Sequence, residues 1–554
     1  MPHPPPSQFV SLISGGEERD NDIFASDELV LASPAKWYPR PTHPQMTPHV
    51  PPQTHASRLS SGILINILKY LSSPGDIHNT LLVSRSWCEC SVELLWYRPS
   101  VLEVNTLIKI VEIISRKEPT FPYAQFIRRL NFVSVAPDMS DGIFSRLAPC
   151  TCLERLTLVG CSKLSDDVIA LTVPCFPNLF SIDLSRVENV ADKTVFALAD
   201  SCHKLQGVNL RDCRRVTSSS LCALADECPL LRRIKLSGLV DLTDEPVSAL
   251  AMKRSLLLEI DLNGCKKLSD RAVRDIWTHS HNMRELCLSH CVELTDLAFP
   301  APQNIRNPPP TPNPPPPPQS ADATWPPASD LPPLRLSGPL EGLRMLDLTS
   351  CSNITDDAVE GIVTASPRLR DLVLSKCSQL TDRAVESISL LGKHLHSLQL
   401  SHAYFITDQS IKTLSRSCTR LRYIDLESEC SLRSLLILRL CLTFACKGCQ
   451  YLTDLSVLEL ANLPKLRRIG LTRLNNLTDK AIYALGDRHQ TLERVHLSYC
   501  DQITPTAIHD LLQRLQRLTH LSLTGNPAFL RPELQRFCRP PPDVRPVSTY
   551  ICLY

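Results

Sequence analysis

The chain has 554 residues, 43% of them apolar and 21% charged, and a formal net charge of +2. A near-neutral balance excludes a global pull towards nucleic acid or acidic membranes, so any basic site must be local. Met1-Pro2-His3-Pro4-Pro5-Pro6 lacks the basic start and apolar run of a secretory signal, and the most apolar later stretch, Ser434 to Cys446, is broken by Arg439 and too short to span a bilayer. The expectation is a soluble protein of the cytoplasm and nucleus, with no membrane insertion.

Residues 1–57 are rich in Pro, Ser, His and charge without sustained periodicity, and read as a disordered segment. Residues 58–100 form a separate helical unit. Ile63, Leu64, Ile67, Leu68 and Leu71 trace one apolar helical face, Ser73-Pro74-Gly75 breaks it, and Asp76 is placed to cap a second helix carrying Ile77, Leu81, Leu82 and Val83. The segment continues through Trp87 to Leu94, Leu95 and Trp96. So short a stretch has too small a core to stand alone and must lean on a partner or on the rest of the chain. Residues 101–125 read as linker helices.

From residue 126 a repeat of 26 residues sets in. Its central apolar position falls at Leu130, Leu156, Ile182, Val208, Ile234, Ile260 and Leu286, resumes at Leu346, Leu372, Leu398 and Ile424, and returns at Ile469, Val495 and Leu521. This period and leucine pattern predict a leucine-rich-repeat solenoid. In Leu153-Glu154-Arg155-Leu156-Thr157-Leu158 the alternation of apolar and polar residues predicts a short strand, Gly160-Cys161 a turn, and Ser165-Asp166 a capped helix start. Thr243-Asp244, Ser269-Asp270, Thr355-Asp356, Thr381-Asp382 and Thr407-Asp408 repeat that start. The expected fold is α/β: a short all-α unit, then a curved solenoid of about fourteen such units, with a parallel sheet on the concave face and helices on the convex face.

Two insertions interrupt the phase. Residues 126–299 form the first half of the array and 341–536 the second. Between them, 300–340 reads as an extruded, partly polyproline loop, with 16 prolines between Pro300 and Pro339. Near 427–446, about twenty residues lack repeat grammar and read as translated non-coding sequence. The tail, 537–554, is Pro-rich. Of the 23 cysteines, Cys161, Cys213, Cys265, Cys291, Cys351, Cys377 and Cys500 keep the repeat's phase, as packing positions must. They read as small buried thiols. Cys446-x-x-Cys449 is the one local lead to zinc, and no second pair has matching spacing; no metal and no cofactor are expected.

Residues 59–87 resemble an F-box. The family pattern opens Leu-Pro-x-Glu-Ile-Leu and closes Val-Cys/Ser-Arg-x-Trp, and Leu59, Ile63, Leu64, Ile67, Leu68, Leu71, Asp76, Ile77, Val83, Arg85 and Trp87 match in place. Ser60 stands where the family has Pro and Gly62 where it has Glu, which weakens the start of the first helix. An F-box before a cysteine-containing 26-residue array resembles the F-box/leucine-rich-repeat substrate receptors. The Pro-rich insertion and Ser91-Val92-Glu93-Leu94-Leu95-Trp96-Tyr97-Arg98-Pro99 resemble the fungal glucose-repression-resistance type. The resemblance implies a non-catalytic subunit of an SCF ubiquitin ligase. Leu59, Ile63, Leu64, Ile67, Leu68, Leu71, Ile77, Val83 and Trp87 would dock on the Skp1 adaptor, and through it on cullin and RING subunits. The repeats would hold targets, often phosphorylated, for nutrient sensing and cell-cycle control. The alternative is a leucine-rich scaffold or inhibitor without a ligase role.

The chain has no phosphate-loop, His-Glu-x-x-His or G-x-S-x-G motif. Its candidate substrate site lies in the outward strand positions of early repeats: Arg211, Arg233 and Lys235, supported by Arg155, with Asn209 nearby and Arg214, Arg215, Lys266 and Lys267 beyond the turns. Guanidinium groups pair bidentately with phosphate oxygens. Against this stand Asp183, Glu259 and Asp261, which would make the same face an ordinary solvated polar surface.

Overall fold

The computed structural model describes residues 35, 59–71, 73–302, 331–427, 451–488 and 491–529, with the backbone of 538–539 and 551–552. The readings of 1–57, of the proline-rich core of the inserted loop, of the 427–446 insertion with Cys446 and Cys449, and of most of the tail lie outside these residues. Contacts divide the chain into two compact units: Met1–Pro99 with Arg116–Ile127, and Ser100–Ser115 with Arg128–Tyr554.

The first unit is helical. Helix α1 (Ser61–Leu68) and α2 (Pro74–Leu81) both pack against α3 (Arg85–Tyr97). Ser84 caps α3, its hydroxyl accepting from Trp87 N–H at 3.2 Å. Leu64, Ile65, Leu68, Cys90 and Leu94 make one core, with Leu71, Ile77 and Trp87 packed around it. Val92, Phe121, Phe126 and Ala35 make a second, joined by Trp96 and Tyr123, whose rings lie 4.5 Å apart. The segment after residue 115 therefore returns to this unit and enlarges a core that α1–α3 alone would leave small.

The second unit begins with α4 (Val104–Ile114), which buries Leu107, Ile110, Val111 and Ile114 at helical spacing. A 14-stranded parallel sheet follows, in strict chain order. The strands are β1 (Arg129–Asn131), β2 (Arg155–Thr157), β3 (Ser181–Asp183), β4 (Gly207–Asn209), β5 (Arg233–Lys235), β6 (Glu259–Asp261), β7 (Glu285–Cys287), β8 (Met345–Asp347), β9 (Asp371–Val373), β10 (Ser397–Gln399), β11 (Tyr423–Asp425), β12 (Arg468–Gly470), β13 (Arg494–His496) and β14 (His520–Ser522). All fourteen positions of the sequence repeat stand at mid-strand, paired with one another and buried. The pairing crosses both insertions, with Leu286 opposite Leu346 and Ile424 opposite Ile469.

From β2 to β10 and from β12 to β14, each strand leads into a turn whose residue has positive φ, glycine at Gly160 and Gly264 but Arg186, Lys376 and Tyr499 in other repeats. The next buried residue is often the periodic cysteine. Its thiol donates to a carbonyl of the preceding repeat: Cys213 to Leu184 O at 3.2 Å, Cys265 to Leu236 O at 3.4 Å, Cys500 to Leu471 O at 3.1 Å. Burial pushes these three thiols up to about 12, so they stay protonated at neutral pH.

The Thr-Asp pairs do more than cap. Thr381 accepts from Arg383 N–H at 3.3 Å, as a cap should, while its own N–H and hydroxyl donate to Asp356 of the preceding repeat at 2.8 and 2.6 Å. The same link joins Asp296 to Thr355 and Asp408 to Thr453 across the insertions. Thr243 lacks it because its predecessor is Ser218, whose hydroxyl lies 2.9 Å from the Thr243 hydroxyl.

The base of the Pro-rich insertion is pinned. Pro300 bridges Leu334, Ala301 N–H donates to Leu334 O at 2.9 Å, and the Arg274 guanidinium donates to Leu297 O and Pro332 O, both at 2.8 Å.

Candidate functional site

Two surfaces are candidates, one on each unit. On the first, the residues expected to dock an adaptor fall into two sets. Leu64 and Leu68 are fully buried, and Leu71, Ile77 and Trp87 pack on them. Leu59, Ile63, Ile67 and Val83 face solvent, Ile63 at 53% exposure, as do Tyr70 and Leu82, the latter at 75%. Helix α1 is apolar on both sides for this reason: one stripe builds the core and the other is left outside. Six large apolar side chains stand in solvent within 25 positions of one another, as at an interaction surface. Ser60, at the start of α1, makes no side-chain capping bond, and a side chain at Gly62 would meet nothing within 4 Å.

On the second unit the outward strand positions form a polar face. Arg233 and Lys235 flank Ile234 on β5 and reach the same carboxylate: Arg233 Nε lies 3.4 Å from Glu259 Oε2, and Lys235 Nζ 3.3 Å from Glu259 Oε1. The three side chains are largely covered, at 13%, 24% and 11% exposure. Arg211, in the turn after β4, lies 3.6 Å from Asp212. Arg155 sits on β2, three strands from β5. Arg211, Arg233 and Lys235 thus share adjacent repeats, each beside a carboxylate, and Arg155 stands apart.

The far end of this face holds a cluster that reading the early repeats missed. Tyr423 OH donates to Asp425 at 3.3 Å, Glu427 N–H donates to Asp425 at 2.9 Å, and His496 Nδ1 lies 3.2 Å from Glu427. Burial, then the Glu427 charge, raises the Asp425 carboxyl to about 6. Gly470 of β12 lies under this pair, since an added Cβ would meet Asp425 and Glu427 within 2.9 Å. The signal was available as Tyr-x-Asp-x-Glu in one repeat and His496 at the place of Asp425 two repeats later.

Among the described residues no helix is long and apolar enough to cross a membrane.

Fold and surfaces together define a class: a helical F-box unit ahead of a leucine-rich-repeat solenoid. Residues 61–101 match the F-box-like family, and the chain carries that domain. Over 85 residues it is 44% identical to the SCF E3 ubiquitin ligase complex F-box protein pof2 of Schizosaccharomyces pombe, a stretch covering 15% of this chain and 18% of that relative's length. Among solved structures it is similar to the yeast Rad7 and Elc1 complex, with 18% identity, a TM-score of 0.44, and coverage of 70% of this chain and 82% of that one.

Proposed function

We propose that this chain is the substrate-recognition subunit of an SCF-type ubiquitin ligase, working in cytoplasm and nucleus. The observation that carries the reading is the solvent-facing apolar set on an F-box-like unit, Leu59, Ile63, Ile67, Leu82 and Val83, beside a core already complete without them. That set docks on Skp1, which brings cullin and RING subunits. The chain itself supplies no chemistry; its strand face holds the target.

The target is a phosphorylated protein, of the nutrient-signalling or cell-cycle kind that the glucose-repression-resistance resemblance implies. Arg211, Arg233 and Lys235 take the phosphate; Arg155, three strands from β5, supports them only by adding positive charge to the same face. What favours this is the convergence of Arg233 and Lys235 on one anionic group, Glu259, whose place a phosphate would take.

The test is co-purification of the full chain with Skp1, beside Ile63→Asp with Val83→Asp. Both positions are exposed, so the variant should fold and lose Skp1. Retention of Skp1 by the folded variant, or no capture by wild type, would favour the scaffold reading.

A further inference from the structure

The residue two places before each mid-strand position is, from β7 to β12, Arg284, Arg344, Arg370, His396, Arg422 and Arg467. Their backbones are bonded in series. Arg344 N–H donates to Arg284 O, Arg370 to Arg344, His396 to Arg370, Arg422 to His396 and Arg467 to Arg422, each at 2.8 Å. Five arginines and a histidine therefore stand side by side along one edge of the sheet, at the inter-strand spacing of about 4.8 Å. Leu258 ends the row before Arg284, and Glu493 ends it after Arg467.

Arg284, Arg370, Arg422 and Arg467 are exposed. Glu493 lies 3.5 Å from Arg467. Among the described residues no carboxylate lies within ion-pair distance of Arg284, Arg370 or Arg422. Burial, and then the charges of Arg370, Arg368 and Arg284, hold Arg344 below the usual arginine range. Burial, with Arg422 and Arg370 next, holds His396 below the usual histidine range. Like charges on neighbouring strands repel. The side chains of Arg284, Arg370, Arg422 and Arg467 reach solvent, whereas Arg344 also donates to the Glu341 and Leu343 carbonyls before β8.

We infer that this row is a docking ridge for an extended, carboxylate-rich segment of a partner protein. Such a segment, lying across the strand ends, presents same-side carboxylates roughly 6.7 Å apart. Long guanidinium side chains on the shorter strand spacing reach them and pair two oxygens at once. A single-stranded nucleic acid fits less well, because the row interleaves no Phe, Tyr or Trp on which bases would stack. The ridge is separate from the β4–β6 phosphate patch and does not depend on it.

The experiment is fluorescence anisotropy of the full chain with a labelled oligo-glutamate peptide. Arg370→Gln with Arg422→Gln should weaken binding roughly tenfold or more and flatten its salt dependence. Arg146→Gln with Lys163→Gln, both exposed and outside the ridge and the phosphate patch, removes the same charge elsewhere and should leave binding within about twofold. Both ridge positions are exposed, so the ridge variant should melt no lower than wild type. The inference is overturned if wild type does not bind the peptide, if the ridge variant binds as wild type does, or if both variants lose affinity equally. Tighter ridge-dependent binding of an oligothymidylate than of the peptide would replace the protein partner with nucleic acid.

Discussion

The carboxylate of Asp408 accepts from the backbone N–H of Thr453 at 2.9 Å and from its hydroxyl at 2.7 Å, across 45 residues of sequence. In unbroken repeats the same link spans about one period, as from Asp382 to Thr407. The bond is set by the stacking of neighbouring helix starts, not by the length of chain between them. A charged acceptor of two donors is worth more than a neutral bond, roughly 1.5–3 kcal/mol.

Removing one such link should therefore show in stability. Asp356→Ala leaves Thr381 N–H and hydroxyl without their acceptor and is expected to cost about 2 kcal/mol. Asp226→Ala, an exposed helix carboxylate paired with Lys253, should cost well under half of that. Equal midpoints for the two in urea denaturation would show that the Asp-Thr link contributes nothing special.

Gly361 answers a different constraint. A Cβ there would collide with Pro300 O, because the neck of the Pro-rich insertion lies against the helix Asp356–Ala365. Gly361→Ala must displace backbone and should cost about 1–3 kcal/mol. Gly142→Ala, with nothing within 4 Å, should be neutral or stabilising. The comparison is read from melting temperatures of the two variants.

Asp425 predicts a pH dependence. Its folded pKa, about 6, lies above the ordinary carboxylate value, so the folded state holds the proton more tightly than the unfolded one. Its ionisation therefore favours unfolding, and stability should fall as pH rises from about 4 through about 6. Asp425→Asn removes this slope and should gain on wild type by on the order of 2 kcal/mol above pH 7, and little below pH 4. Parallel stability curves for the two proteins between those limits would refute the assignment.

Glu259 governs the phosphate reading. It already bridges Arg233 and Lys235, so an incoming phosphate must displace it. Glu259→Gln should tighten capture of a phosphothreonine peptide library by several-fold, and Arg233→Glu should abolish it. Weaker capture by Glu259→Gln would mean that the carboxylate positions the two cations rather than competing for them.

The solenoid was legible in the residues because one apolar side chain every 26 positions is both the sequence signal and the physical cause: it must fill the same slot in each repeat. The periodic cysteines were legible for the same reason, and Cys213 and Cys265 do lie buried against the preceding repeat. In the F-box unit, the spacing of Ile63, Leu64, Ile67 and Leu68 showed an apolar helix but not which side was core; packing against α3 decided that. Tertiary structure alone decided the rest. Glu259 meets Arg233 and Lys235 because strand register sets them side by side, and the helix starts place Asp408 against Thr453. Arg284 meets Arg344, and Arg422 meets Arg467, across the two insertions. Side chains far apart in sequence acquire a common electrostatic environment only when the sheet brings their backbones within one hydrogen bond of each other.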